Sequence, residues 1–304
     1  MFFLPFFQPY FFLFLVYINT NNSCTITRIL SKYYILNHIK EDGKFIYIAQ
    51  LPNSYKYNIL RHGGTLYAMW LYEHFYHDKN IKQKRLSATK YLIDNYVVKI
   101  DPDMYCVVSK PTDGETEEFI AKSGGTGISL ISLSSYYNSG IFNNKIIEGL
   151  GNFLIFLQEN SGNFITCYEM KSGKKNNSDP CIYYLGEACL GLLYLYENNP
   201  QEKWLVSAKK ALIYIAQLRE KDRNDEYDHW ALLAIRKLFQ VAGNKLSKEE
   251  TLLLKNFVIQ NVNNIIEDFK NNGSLCSIST VMEGLVGAYY CIDDKILKNK
   301  FTII

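Results

Sequence analysis

Arg61-His62-Gly63-Gly64-Thr65-Leu66-Tyr67-Ala68-Met69-Trp70-Leu71-Tyr72-Glu73 reads as a charged pair, two glycines and then an apolar run with almost no polar face. Related segments return along the chain. Lys122-Ser123-Gly124-Gly125-Thr126 opens one and Tyr184-Leu185-Gly186-Glu187-Ala188 opens the next. Asp228-His229-Trp230-Ala231 and Val281-Met282-Glu283-Gly284 are degenerate fourth and fifth copies. Aligned on Gly63, Gly124, Gly186, Trp230 and Glu283, the copies stand 61, 62, 44 and 53 residues apart. Recurrence near a fixed interval is the mark of a repeat architecture and takes precedence over local readings.

Between these apolar segments lie helices of another kind. Residues 25–40 carry an apolar stripe at i, i+3, i+4 spacing, as do 82–99, 142–158, 202–219 and 247–269. In 202–219 the stripe is Trp204, Leu205, Ala208, Leu212, Ile215 and Ala216, with Lys203, Lys209, Lys210 and Gln217 opposite. Short extended pieces are expected at Lys44 to Ala49, Met104 to Val108 and Phe164 to Tyr168. Turns at Asp42-Gly43 and Asn160-Ser161-Gly162 precede the first and last of them. Ten helices therefore alternate, one-faced and then apolar all round. A helix apolar on every side has to be enclosed, and a one-faced helix can enclose it. Stacked with the apolar members inward, such pairs make an all-α fold, an (α/α) toroid of about five to six helical hairpins with short extended segments in the connecting loops. An open solenoid shares the period, but its inner helices line a concave face and keep more polar residues. Glycines at the start of the inner helices suit crowding around an axis.

The bulk properties set limits. The 304 residues are 48% hydrophobic, 15% aromatic and 21% charged, which is the composition of a globular chain able to bury a large core. A net charge of +3, without a concentrated basic face, argues against nucleic acid as a partner. The seven cysteines form no CxxC pair and none adjoins a histidine, so no metal and no cofactor is expected. A Cys167–Cys181 bridge stays open. The acidic run Asp113 to Glu118 lacks the alternating spacing of a calcium loop and reads as a solvated loop over the mouth of the ring.

Residues 1–24 form a separate apolar N-terminal segment before a single domain at 25–304. Residues 1–18, MFFLPFFQPYFFLFLVYI, contain no Lys or Arg. They lack the basic start of a signal peptide, and Pro5 and Pro9 interrupt a spanning helix. The segment reads either as an anchor or atypical signal, with membrane contact through 1–18, or as a buried N-terminal piece. Arg28, Lys32 and Lys40 after it favour the body on the cytoplasmic side. Localisation is thus cytoplasmic or membrane-associated at the cell envelope.

The opening RHGG, the segment YLGEACLGLLYLYE followed by KWLVSAKKALIYI, the DHW start and the final STVMEGL together resemble the six-hairpin, or α/α-toroid, enzymes over roughly residues 25–292. That group includes N-acylglucosamine 2-epimerases, glycoside hydrolases, polysaccharide lyases and lanthionine synthetase cyclases. The resemblance implies a carbohydrate-active enzyme with a small sugar or polysaccharide as substrate. The cyclases would need a Cys/Cys/His zinc set, for which only Cys276, Cys291 and His229 stand available.

In such a ring, polar residues at the starts of the inner helices gather at one mouth. His62, His229, Glu187 and Glu283 are the candidate catalytic groups. Tyr57, Arg61, Lys122, Tyr184, Asp228 and Trp230 are the candidate substrate-binding groups, with Ser123, Tyr183, Ser279 and Thr280 nearby. Helix N-termini add positive dipole ends that favour an anionic group. A histidine pair can move a proton next to a carbonyl or uronate carboxylate while Arg and Lys neutralise charge, which is epimerase or lyase chemistry on an acidic or amino sugar. Two opposed carboxyls, Glu187 and Glu283, instead suit acid/base hydrolysis. The rival from another class is a non-catalytic toroid that binds a glycan or a protein.

Overall fold

The computed structural model of the chain describes residues 22–47, 56–221, 226–272 and 278–292, and the N-terminal apolar segment lies outside them. The described residues form ten α-helices and five strands. In chain order these are α1 (Asn22–Asn37), α2 (Ile59–Tyr76), α3 (Lys79–Tyr96), β1 (Val97–Asp101), β2 (Met104–Ser109), β3 (Ile120–Lys122), α4 (Ser123–Ser134), α5 (Asn144–Leu157), β4 (Cys167–Glu169), β5 (Lys175–Asn176), α6 (Tyr183–Asn198), α7 (Glu202–Lys221), α8 (His229–Ala242), α9 (Lys248–Asn272) and α10 (Ile278–Tyr289).

The even-numbered helices α2, α4, α6, α8 and α10 are the recurring apolar segments, four of them with glycines in their first two turns, and each packs on the next in that order. Every residue of α4 from Ser123 to Ser134 is buried, as expected of a helix enclosed on all sides. The one-faced helices cover them from outside: α3 lies on α2, α5 on α4 and α6, and α7 on α6 and α8. Trp204 of α7 is fully buried beneath this outer layer. Near the middle of the assembly the Tyr67 ring of α2 and the Trp230 ring of α8 stand 6.1 Å apart, with Tyr194 of α6 edge-on to Tyr67 at 6.0 Å.

Contacts between inner helices match N-terminal turn with N-terminal turn, so these helices run parallel. A methyl group on Gly63 would meet Ile128 and Ser129 of α4, and one on Gly186 would meet the backbone of Trp230 and Ala231. One on Gly284 would lie 2.7 Å from His229 Cβ. The helix starts are capped by short polar side chains. Asn58 Oδ1 accepts from the Arg61 amide at 2.9 Å, and Asp228 Oδ1 accepts from Trp230 and Ala231 at 2.9 and 3.1 Å.

The same turn occurs twice outside the ring. Gly43 (φ 93°) and Gly162 (φ 106°) each close a loop that returns on the preceding helix, through the bridges Ile39–Phe45 and Gln158–Phe164. Each glycine rests on a carbonyl of an outer helix, Ser87 or Lys210, closer than a side chain permits.

The expectation of a purely helical fold needs correction. Two of the extended pieces, those at Met104 to Val108 and Phe164 to Tyr168, supply β2 and β4, and three further strands join them in one antiparallel sheet of order β1-β2-β3-β4-β5. The β-branched run Val97-Val98-Lys99-Ile100 ends α3 earlier than its apolar period suggested, and turns back through Pro102-Asp103 to pair Val97 with Val107. β3 joins through Val108–Ala121 and Ala121–Tyr168, pairings between distant segments that local pattern does not announce. Cys106, Val108, Ala121, Phe153 and Leu157 form a second small core between this sheet and α5. The sheet delivers Lys122 directly to the start of α4. Cys167 and Cys181 are both free thiols. No helix among the described residues is long and apolar enough to cross a membrane.

Candidate active site

Inner-helix packing brings part of the expected set together. Gly124 of α4 lies against α6, where a methyl group on it would fall 2.1 Å from Glu187 Oε2 and 2.4 Å from the Tyr184 ring. Glu187 is 4% exposed, and Oε2 has no hydrogen-bond partner. Burial drives its carboxyl well above the usual carboxylate range, and the nearby Asp228 charge drives it further. Both effects favour the protonated acid.

Asp228, 1% exposed, uses one oxygen to cap α8, while Oδ2 is buried without a partner. Its backbone amide is held by Asn261 Oδ1 of α9 at 2.9 Å, which fixes the carboxyl from the outer layer. Burial raises Asp228 to about 7, against the two capping amides and the more distant Arg219 charge. Two buried carboxyls, both raised above the ordinary carboxylate range, thus stand at the starts of neighbouring helices, where an acid and a base can serve one site.

Around them, Lys122 Nζ binds Asp179 Oδ2 at 2.5 Å, and the Tyr184 hydroxyl donates to the same oxygen at 3.1 Å. Asp179 belongs to the loop between β5 and α6, which reads from sequence only as a polar connection. Its sole signal is an Asp-Pro pair just before a helix start. His229 is buried with its ring 5.1 Å from that of Tyr183, and burial lowers it to about 3, so it is neutral.

Other candidates lie elsewhere. His62 is buried on the outer side of α2: Nδ1 lies 2.6 Å from the Tyr57 hydroxyl and Nε2 3.0 Å from the Ala88 carbonyl of α3. Burial lowers it to about 3, and Tyr57 is buried with it. The two histidines therefore do not form a pair. Arg61 sits over the Tyr47 ring at 5.2 Å. Ser123 is buried, bonded to Thr166. Trp230 packs against Tyr67 in the interior. Glu283 is 1% exposed with both oxygens unpartnered and raised well above the carboxylate range by burial. It stands on α10, beyond the Glu187–Asp228 couple, and the side chains of Ser279 and Thr280 lie outside the described residues.

In the acidic loop Glu115, Glu117 and Glu118 are exposed, and only Asp113 departs from the solvated reading. Asp113 is buried, accepting from the Tyr96 hydroxyl at 3.1 Å, and Glu115 accepts from Asn58 at 2.6 Å at the start of α2. At the other end of the inner helices a cleft is lined by Tyr67, Tyr194, Arg236, Lys237 and Gln240, where Lys237 is tied to Glu197 at 2.5 Å. None of the sequence candidates gathers there. Among the described residues no cluster of His, Cys, Asp and Glu is arranged to hold a metal ion.

These buried groups make stability depend on pH in two windows. Asp228 ionises near 7 in the fold and at 3.8 as an ordinary carboxyl, so the folded state retains its proton between those values. Stability therefore falls as pH rises from 3.8 to 7, by on the order of 4 kcal/mol at most for this group. Glu187 and Glu283 act in the same sense. His62 and His229, at about 3 against 6.5, act oppositely, and their contribution is lost as pH falls from 6.5 towards 3. Urea unfolding at several pH values should show Asp228→Asn gaining on the wild type as pH rises to 7. An unchanged gap across that range would contradict the Asp228 shift.

By sequence, neither a protein-family profile nor a curated protein matches this chain. By structure it is similar to the GH76 α-1,6-mannanase of Salegentibacter sp., with a TM-score of 0.70 and 11% identity over 93% of this chain and 89% of that one. A GH76 α-mannanase of Bacteroides thetaiotaomicron gives 0.68 and 14%, over 93% and 86%. A sugar epimerase from a ruminal bacterium gives 0.65 and 12%, over 89% and 81%. The fold is an α/α toroid like that of these three proteins.

Proposed function

We propose that the protein is a carbohydrate-active enzyme that cleaves a glycosidic bond by acid/base catalysis between Glu187 and Asp228. The observation that carries this reading is the couple itself. Two buried carboxyls, Glu187 and Asp228, stand at adjacent inner-helix starts, and Oε2 of the first and Oδ2 of the second have no hydrogen-bond partner among the described residues. A buried carboxyl left unpaired costs stability, and a scaffold that only binds has no use for two of them. In the proposed step Glu187 passes its proton to the glycosidic oxygen as the bond from the anomeric carbon to that oxygen breaks. Water attacks the anomeric carbon and gives a proton to ionised Asp228. Tyr183 and Tyr184 offer aromatic faces for the sugar ring.

Proton abstraction by a histidine pair is less well supported, because His62 is fully engaged with Tyr57 and Ala88. The structural neighbours include mannanases and a sugar epimerase, and so accord with sugar chemistry at this mouth while leaving the reaction to the residues.

The test is release of reducing ends from a panel of neutral and acidic oligosaccharides, comparing wild type with Asp228→Asn. Asparagine keeps the cap, so folding should persist, while turnover falls ~100-fold or more and the limb of the pH profile near 7 disappears. Equal turnover by both proteins on a substrate the wild type cleaves would overturn the assignment.

A further inference from the structure

Asp179 is an unusual resident of the mouth. Its carboxylate belongs to a connection whose neighbours Asn177, Ser178 and Pro180 are exposed, yet it reaches inward to the two donors beside Glu187. Lys122 has a side chain only 14% exposed and Tyr184 is 6% exposed, and both address the same carboxylate oxygen. The donors are rigidly placed. Lys122 is the last residue of β3, paired with Cys167 of β4, and Tyr184 lies in the first turn of α6. The acid is not. The Asp179 side chain is 43% exposed, and the rest of its connection is held by local bonds such as Asn177 to the Thr166 amide.

The receptor also adjoins the reacting groups. Gly124 faces both Glu187 Oε2 and the base of the Tyr184 ring, so the ring that carries the receptor hydroxyl adjoins the acid. Ammonium and phenol together recognise a carboxylate through charge-assisted hydrogen bonds, whichever molecule supplies it.

We infer that Lys122 and Tyr184 form a receptor for the carboxylate of an acidic sugar, and that Asp179 occupies it as a built-in competitor until such a sugar displaces it. This rests on the reading of the mouth as a sugar site and adds the substrate class, a uronic acid rather than a neutral hexose. Burial works against the Asp179 carboxylate, but Lys122 and Tyr184 outweigh it and hold the group below the ordinary carboxylate range, as a bound anion requires. An internal occupant reduces apparent affinity by the fraction of time it holds the receptor, so removing it should tighten binding.

The experiment is titration of the full-length protein with D-glucuronate and with D-glucose, by calorimetry or chemical-shift change, in wild type, Asp179→Ala and Asp179→Ala/Lys122→Met. Melting temperature serves as the check on folding. Asp179→Ala should bind glucuronate about 5- to 10-fold more tightly with glucose unchanged, and adding Lys122→Met should abolish the gain. Glucuronate binding that is unchanged or weakened in Asp179→Ala, a gain shared equally by glucose, or no glucuronate binding by any variant would overturn the proposal. Because the readout is affinity, it is separable from catalysis. A preserved Asp179 effect with no hydrolysis of any acidic glycan would leave the receptor standing and remove the acid/base assignment.

Discussion

Glu187→Gln is expected to lower turnover by about 1000-fold while leaving the protein as stable as the wild type to within ~1 kcal/mol. The two halves of that result come from one fact, a buried carboxyl whose protonated form is favoured by burial and by the Asp228 charge. Glutamine matches a protonated glutamic acid in shape and charge, so packing against Gly124 and Tyr184 is preserved. What glutamine cannot do is give up a proton to a departing oxygen. Removal of a positioned general acid typically costs 100- to 10,000-fold. The measurement is kcat on the best substrate of the oligosaccharide panel, with a melting curve beside it. Turnover within threefold of wild type would refute the role of Glu187 as the acid. Loss of melting without loss of turnover per folded molecule would make Glu187 a structural residue.

Gly127→Ala should be among the most destabilising single methyl groups added to the ring. Its added Cβ would lie 2.6 Å from the Ala188 Cα and amide nitrogen and from the Glu187 carbonyl. All of these are backbone atoms, so no rotamer change relieves the overlap and α4 and α6 must move apart. Gly191 on the facing turn is equally tight, 2.4 Å from the Gly127 carbonyl oxygen. Overpacking costs ~1–3 kcal/mol even where side chains can adjust, so a loss of about 3 kcal/mol or more is expected here. That corresponds to a fall in Tm of roughly 6–12 °C for a chain of this size. Turnover should fall too, because the displaced turn carries Glu187. Gly125→Ala is the control. Its nearest neighbour is the tip of the Leu60 side chain at 3.4 Å, and alanine is the better helix former, so that variant should be neutral or stabilised. A Gly127→Ala protein that melts with the wild type would show that the inner helices are not in backbone contact.

The helices were legible because their signals are local. Alternation of one-faced and all-round apolar segments, with glycines opening the latter, is enough to place α2, α4, α6 and α8 within a few residues of their observed limits and to arrange them as the inner layer. The sheet was not legible in the same way. β3 is three residues long and is a strand only because Val108 and Tyr168 lie on either side of it. No period can reveal a pairing such as Ala121 with Tyr168, between segments far apart in the chain.

The site divides along the same line. Sequence alone determined that Glu187 and Asp228 stand at the starts of inner helices, because a charged residue interrupting an apolar run and a short acid before one are both visible in the string. Which way each side chain points was decided only by the tertiary structure. His62 occupies a repeat position comparable with that of His229, yet it turns outward to Ala88 on α3. Asp179, unmarked in a polar loop, turns inward to Lys122. A residue's place along a helix follows from short-range pattern, whereas the partner that satisfies its polar atoms comes from whichever segment the packed core carries alongside it.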